Sequence, residues 1–167
     1  MSYQQHKSQS PRSVAYAVLI ISDTRTEQDD ETGKLLKERF GENGHRLVAY
    51  AIVKNEASAV RDKLLELLPQ DELQVIITSG GTGVSHKDVT VEAVSPMLEK
   101  TLPGFGELFR FLTYQELGTA SMMTRAIAGV AGSKVIICLP GSLAAVKLAL
   151  EKIILPEIGH MVREATR

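Results

Sequence analysis

Solid apolar runs alternate along this chain with segments whose apolar residues recur every three or four positions. The runs "SVAYAVLIISD" (13–23), "HRLVAYAIVKN" (45–55), "LQVIITSGG" (73–81) and "SKVIICLPG" (133–141) predict four strands. Runs with no polar alternation belong to strands covered on both faces. Between them, "DDETGKLLKERFGENG" predicts a helix with an acidic start, a stripe of Leu35, Leu36 and Phe40, and a stop at Gly41 or Gly44. "ASAVRDKLLELLPQ" predicts a second, with Val60, Leu64, Leu67 and Leu68 on one face and Pro69 at its end. "TVEAVSPMLEK" reads as a third helix that Pro96 splits or bends, and "LPGFGELFRFLTYQELGT" as a fourth, from about Phe105 to Gly118. "ASMMTRAIAGVAG" is a short helix or irregular, and the final "SLAAVKLALEKIILPEIGHMVREATR" is a helix bent at Pro156. Strand–helix alternation of this kind predicts an α/β fold: three layers, α/β/α, around a mostly parallel sheet. It spans a single domain, residues 13–167, after a loose Gln- and Ser-rich tail over 1–12.

Composition narrows the function classes. A net charge of −1 provides no global field for nucleic acid, and 5% aromatic residues without Trp provide little base-stacking surface. The lone Cys138 excludes a disulfide within the chain and reads as a small buried hydrophobe. No apolar run reaches membrane-spanning length, and the first residues lack the apolar middle of a signal peptide, so a cytoplasmic protein is expected.

Ligands of open parallel sheets bind beyond the carboxyl ends of the strands. Those ends read "SDTRT", "VKNE", "TSGGTG" and "LPGS", all polar or glycine-rich, and together they predict a cleft. In "SGGTG", the main-chain amides of Gly80, Gly81, Thr82 and Gly83, with the hydroxyls of Ser79 and Thr82, suit an anion nest. A tight turn needing glycine for geometry alone explains the run equally well. It is neither a Walker loop nor a dinucleotide fingerprint. Asp88 lies five residues past Gly83; a carboxylate beside phosphate is repulsive unless a cation such as Mg²⁺ intervenes. Asp88 or Thr90 as a helix N-cap is the plainer reading. Gly141 and Ser142 repeat this choice at the last strand: a second anion site or a plain cap. Arg25 reads as solvated and Asp29–Glu31 as a helix-dipole cluster. The four histidines show no ligand spacing, and Met122, Met123, Phe105, Phe109 and Phe111 read as core.

With these residues in view, the chain resembles the MoaB/MogA family of molybdenum-cofactor biosynthesis proteins from about residue 15 to 161. "TSGGTGVSHKDVTVEA", "LPGFGELFR", "SMMTRAIAGV" and "LPGS" follow one another in the family's order, with wording nearer the MoaB branch. The resemblance implies binding of molybdopterin and, in active members, transfer of AMP from ATP to its terminal phosphate with Mg²⁺. It implies phosphate contacts at Gly80–Gly83, a metal-linked catalytic carboxylate at Asp88, pocket walls at Pro140, Gly141 and Ser142, and pterin-side residues Thr124 and Arg125. It also implies homo-oligomers, trimers or hexamers. Two positions depart from the pattern. Where many active members carry an acidic residue after the second strand, this chain has Asn55, with Glu56 one place on as a substitute metal ligand. Cys138 stands where some carry Asn. A MoaB-like binder without adenylyl transfer is therefore the alternative.

Overall fold

A computed structural model describes residues 9–167. Its sheet has six strands in the order β2-β1-β3-β6-β5-β4. β1 (Ala15–Ile21), β2 (Arg46–Val53), β3 (Val75–Ser79) and β6 (Lys134–Leu139) are the four expected strands, mutually parallel. Two short strands extend the sheet beyond β6: β5 (Ile127–Ala131), antiparallel to β6, and β4 (Lys100–Thr101), antiparallel to β5.

Alternate residues of a strand face opposite sides, and the core divides accordingly. Tyr16, Val18, Ile20, Val75, Ile77, Val135 and Ile137 pack against α1 (Glu31–Glu42), α4 (Pro103–Leu117) and the closing helices α5 (Leu143–Ala149) and α6 (Leu155–Ala165). Ala17, Leu19, Ile21, Ile76, Ile136 and Cys138 pack against α2 (Ala57–Leu67) and α3 (Thr90–Val94). The three-layer α/β/α expectation holds, and β1, β3 and β6 are apolar at nearly every position because both faces are covered.

Several local expectations are corrected. The segment expected to be a short helix or irregular is a 3₁₀ turn, Gly118–Met123, followed by β5. β5 and β6 form a hairpin around Gly132 and Ser133, both with positive φ (54° and 60°), as a type I′ turn requires. Pro96 does split its helix: α3 ends at Val94, a 3₁₀ turn spans Ser95–Met97, and the residues beyond it join the sheet as β4. The closing helix, expected to bend at Pro156, stays helical from Leu143 to Ala165. A π-helical stretch, Leu150–Ile154, separates α5 from α6. Proline has no N–H to give the i−4 carbonyl and its ring crowds that position; widening the preceding turn accommodates both, a known cause of irregular helices.

Residues 1–8 of the expected tail lie outside the described residues. Residues 9–12 lie against α6: Gln9 accepts from Arg163, and Pro11 packs on Gly159, where a Cβ would come within 2.4 Å of the Pro11 carbonyl oxygen.

Candidate functional site

The parallel strands β2, β1, β3 and β6 deliver their carboxyl ends to one edge of the sheet, where a cleft of about 460 Å³ opens. Ile21, Gly80–Gly83, Asp88, Met123, Thr124, Arg125, Pro140, Gly141 and Ser142 line it. Of the four anticipated strand ends, "TSGGTG" and "LPGS" line it; β1 contributes Ile21 in place of "SDTRT", and the end of β2 contributes nothing. Met123 is an addition. It was expected in the core but is half exposed, as is Phe111; Phe105 and Phe109 are buried as expected. Ile21 is also new, a wall residue that its apolar run alone does not distinguish.

The glycine turn is tightly held. Gly80 (φ 110°) and Gly81 (φ 64°) occupy the left-handed region. A Cβ on Gly80 would lie 2.3 Å from the Ile21 carbonyl oxygen, and one on Gly81 2.4 Å from Thr90 Oγ1 and 2.6 Å from Asn55 Oδ1. Glycine is therefore required here for geometry. The turn nevertheless leaves donors free. Gly80 N–H is engaged by the Leu139 carbonyl at 3.0 Å, which corrects its expected place in the nest; among the described residues no acceptor takes the amides of Gly81, Thr82 or Gly83. Ser79 is corrected as well: it is buried outside the cleft lining, and its hydroxyl donates to the Pro140 carbonyl at 3.0 Å, fastening one turn to the other.

Asp88 is half-buried, its Oδ2 accepting from Ser85 N–H at 3.1 Å and lying 2.6 Å from where a Gly83 Cβ would be. It is not the cap of α3. The N-cap is Val89, with no side-chain capping bond, and Thr90 opens the helix. Thr90 points back at the turn, its hydroxyl donating to the Gly80 carbonyl (2.8 Å) and its N–H to the Gly81 carbonyl (2.9 Å). Ser142 does cap its helix, accepting from Ala145 N–H at 3.4 Å, while also lining the cleft.

On the opposite wall, Arg125 donates to Glu92 of α3, and the Thr124 carbonyl accepts from Arg110 at 3.5 Å. Asn55 lies behind the turn, outside the cleft lining. Its N–H donates to Asp23 at 2.9 Å, and its Oδ1 is buried with no hydrogen-bond donor. Glu56 is exposed and outside the lining. Among the described residues no three His, Cys, Asp or Glu side chains gather as a metal site. Arg25 is not solvated but pairs with Asp30 and donates to Thr32; Asp30, expected only as part of a helix-dipole cluster, is the N-cap of α1, accepting from Gly33 N–H and the Tyr50 hydroxyl (2.7 Å). Burial and that carboxylate push the Tyr50 pKa up. Burial alone pushes the Cys138 thiol up to about 12, which fits a core residue and not a nucleophile.

A doubly covered sheet with a glycine-lined cleft at its carboxyl edge defines a small three-layer α/β domain whose candidate ligand site lies at the strand ends. The profile described as "Probable molybdopterin binding domain" matches residues 17–160. Molybdenum cofactor biosynthesis protein B of Bacillus cereus is 45% identical over 100% of this chain and 99% of its own, and that of Bacillus subtilis 45% over 98% and 97%. Among solved structures, a molybdenum cofactor biosynthesis protein B superposes with TM-score 0.90 at 45% identity, covering 94% of this chain and 98% of that one. The tungsten cofactor synthesizing protein MoaB from Pyrococcus furiosus does so at 0.86 and 35%, covering 95% and 100%. This chain belongs to the MoaB/MogA family of molybdenum-cofactor biosynthesis proteins.

Proposed function

We propose that the cleft binds molybdopterin by its terminal phosphate and adenylylates it with ATP and Mg²⁺. The observation that carries this is the juxtaposition of three adjacent amides without protein acceptors, Gly81–Gly83, with the one cleft carboxylate, Asp88. The amides orient the attacking phosphate and disperse its charge, and Arg125 adds a cationic wall. A phosphate oxygen of molybdopterin forms a bond to the α-phosphorus of ATP as the bond to pyrophosphate breaks, so AMP is transferred and pyrophosphate leaves. Mg²⁺ commonly takes one or two carboxylates and completes its shell with water and substrate phosphates, so Asp88 fits it only in company with those phosphates. When bound, Mg²⁺ screens the repulsion between the two anionic substrates. Asn55 Oδ1, buried without a donor, is a further oxygen near the turn suited to a hard cation. Glu56 has no comparable placement.

Asp88→Asn is expected to abolish turnover while leaving molybdopterin binding within a few-fold. Product analysis after incubation with molybdopterin, ATP and Mg²⁺ reads the first, and titration reads the second. Wild-type protein that forms no adenylylated product beside an active relative removes the proposal.

The neutral Asn55 favours a second reading, a MoaB-like binder that holds molybdopterin or its precursor without turnover. Asn55→Asp separates the two: a large gain in product formation marks a weakened enzyme, and no gain marks a binder. The adenylylation reading implies a cytoplasmic setting, where ATP is supplied, and membership of the family implies self-association as trimers or hexamers under either reading. The exposed Leu108, Phe111, Tyr114 and Leu117 of α4 support a buried contact between copies.

A further inference from the structure

Two walls of the cleft are tied to the same short helix. Thr90 of α3 holds the carbonyls of Gly80 and Gly81, and Glu92, two residues on, accepts from Nη2 of Arg125 on the facing wall. Two residues turn an α-helix by about 200°, so side chains at 90 and 92 point to opposite sides of α3. The helix therefore stands between the glycine turn and the Thr124–Arg125 segment and grips both. Arg125 lines the cleft; Glu92 does not.

We infer that Glu92 is a positioning residue that holds the Arg125 guanidinium ready for a ligand oxyanion. The inference rests on the reading of the cleft as an oxyanion site. A guanidinium carries five donors in a rigid fork. Glu92 engages Nη2, and among the described residues Nη1 and Nε of Arg125 have no protein acceptor. Both side chains are partly exposed, 30% for Arg125 and 56% for Glu92. Exposed pairs of this kind add little to folding stability. The contribution of this one lies in removing rotamer freedom that Arg125 would otherwise lose when a ligand arrives.

The sign of the effect separates this role from a plain charge effect. A negative side chain beside an anion site opposes anion binding, so removing it should tighten binding through the field alone. Positioning predicts the reverse. Calorimetric titration of the full chain with pyrophosphate, at fixed ionic strength, is expected to show Glu92→Ala weakened about five-fold, within the range for freeing one long side chain. Glu92→Gln, which keeps an acceptor oxygen without the charge, should match or exceed the wild type. In an Arg125→Ala background, Glu92→Ala should produce no weakening. Thermal melts confirm folding, and Glu92→Met, which keeps the length but has no acceptor oxygen and should be weakened likewise, carries the comparison if the alanine variant is impaired. Equal or tighter binding by folded Glu92→Ala overturns the role, as does weakening that persists without Arg125. Wild-type protein that fails to bind pyrophosphate overturns the oxyanion reading itself, and the role with it.

Discussion

At Gly81 the backbone conformation and the crowding point the same way. A Cβ there would meet Thr90 Oγ1 and Asn55 Oδ1 at well under 3.0 Å, on a residue with φ 64°. Gly81→Ala is expected to destabilise the fold by about 1–3 kcal/mol and to abolish pyrophosphate binding, measured by thermal melts and titration. Cys138 makes the opposite case, a reactive side chain kept inert. With burial holding its pKa near 12, it should resist alkylation in the native protein at pH 8 and react only after denaturation. His45 adds a pH-dependent contact. Its Nδ1 accepts from Val14 N–H at 3.2 Å, its ring packs on Phe40, and burial lowers its pKa from the usual 6.5. A histidine whose pKa is depressed in the folded state contributes stability above its unfolded value, and that stability is lost as pH falls toward the folded value. The melting temperature should therefore drop as pH falls below about 6.5, and His45→Gln should flatten that part of the profile.

At the level of elements, the legible ones are those whose sequence pattern matches their packing. β1, β3 and β6 are continuous apolar runs because helices cover both faces, and α2 shows its stripe because only one face is buried. β4 and β5 are different. β4 has two exposed residues, and β5 follows a Met-rich 3₁₀ turn that offers no period of its own. The one usable signal was the Gly132-Ser133 pair between "IAGVA" and "KVIICL", a two-residue hairpin turn. Gly129 shows why β4 settles where it does: a Cβ there would lie 2.4 Å from the Lys100 carbonyl oxygen, so the edge strand approaches only over glycine. α4 carries more apolar residues than its buried face uses. Phe105 and Phe109 enter the core, while Leu108, Phe111, Tyr114 and Leu117 face outward.

For the whole molecule, that outward face is the feature a single chain leaves uncovered. Contiguous exposed apolar surface on a helix is the usual mark of a protein contact. On the self-association proposed above, Phe111→Asp is expected to shift the protein toward monomer in light scattering while preserving its circular dichroism, since Phe111 is 58% exposed and outside the core. Among the described residues no helix is long and apolar enough to cross a membrane. The cleft is likewise a property of the whole sheet. Its lining comes from the ends of β1, β3 and β6, from the turn before α3 and from the segment before β5.

The sequence by itself determined the layer architecture, the parallel core strands and the turn at residues 80–83, because hydrophobic period and glycine content are local properties. It also marked Asp88, Gly141 and Ser142, and its family resemblance marked Thr124, Arg125 and Pro140; the fold gathers all six into one cleft. Only the tertiary structure decided which donors stay free. Gly80 N–H and the Ser79 hydroxyl are engaged by chain about sixty residues away, Asn55 Oδ1 is buried behind the turn, and Glu92 meets Arg125 across 33 residues. Each of those outcomes depends on which strand ends become neighbours, and strand order is not encoded in any local stretch of sequence.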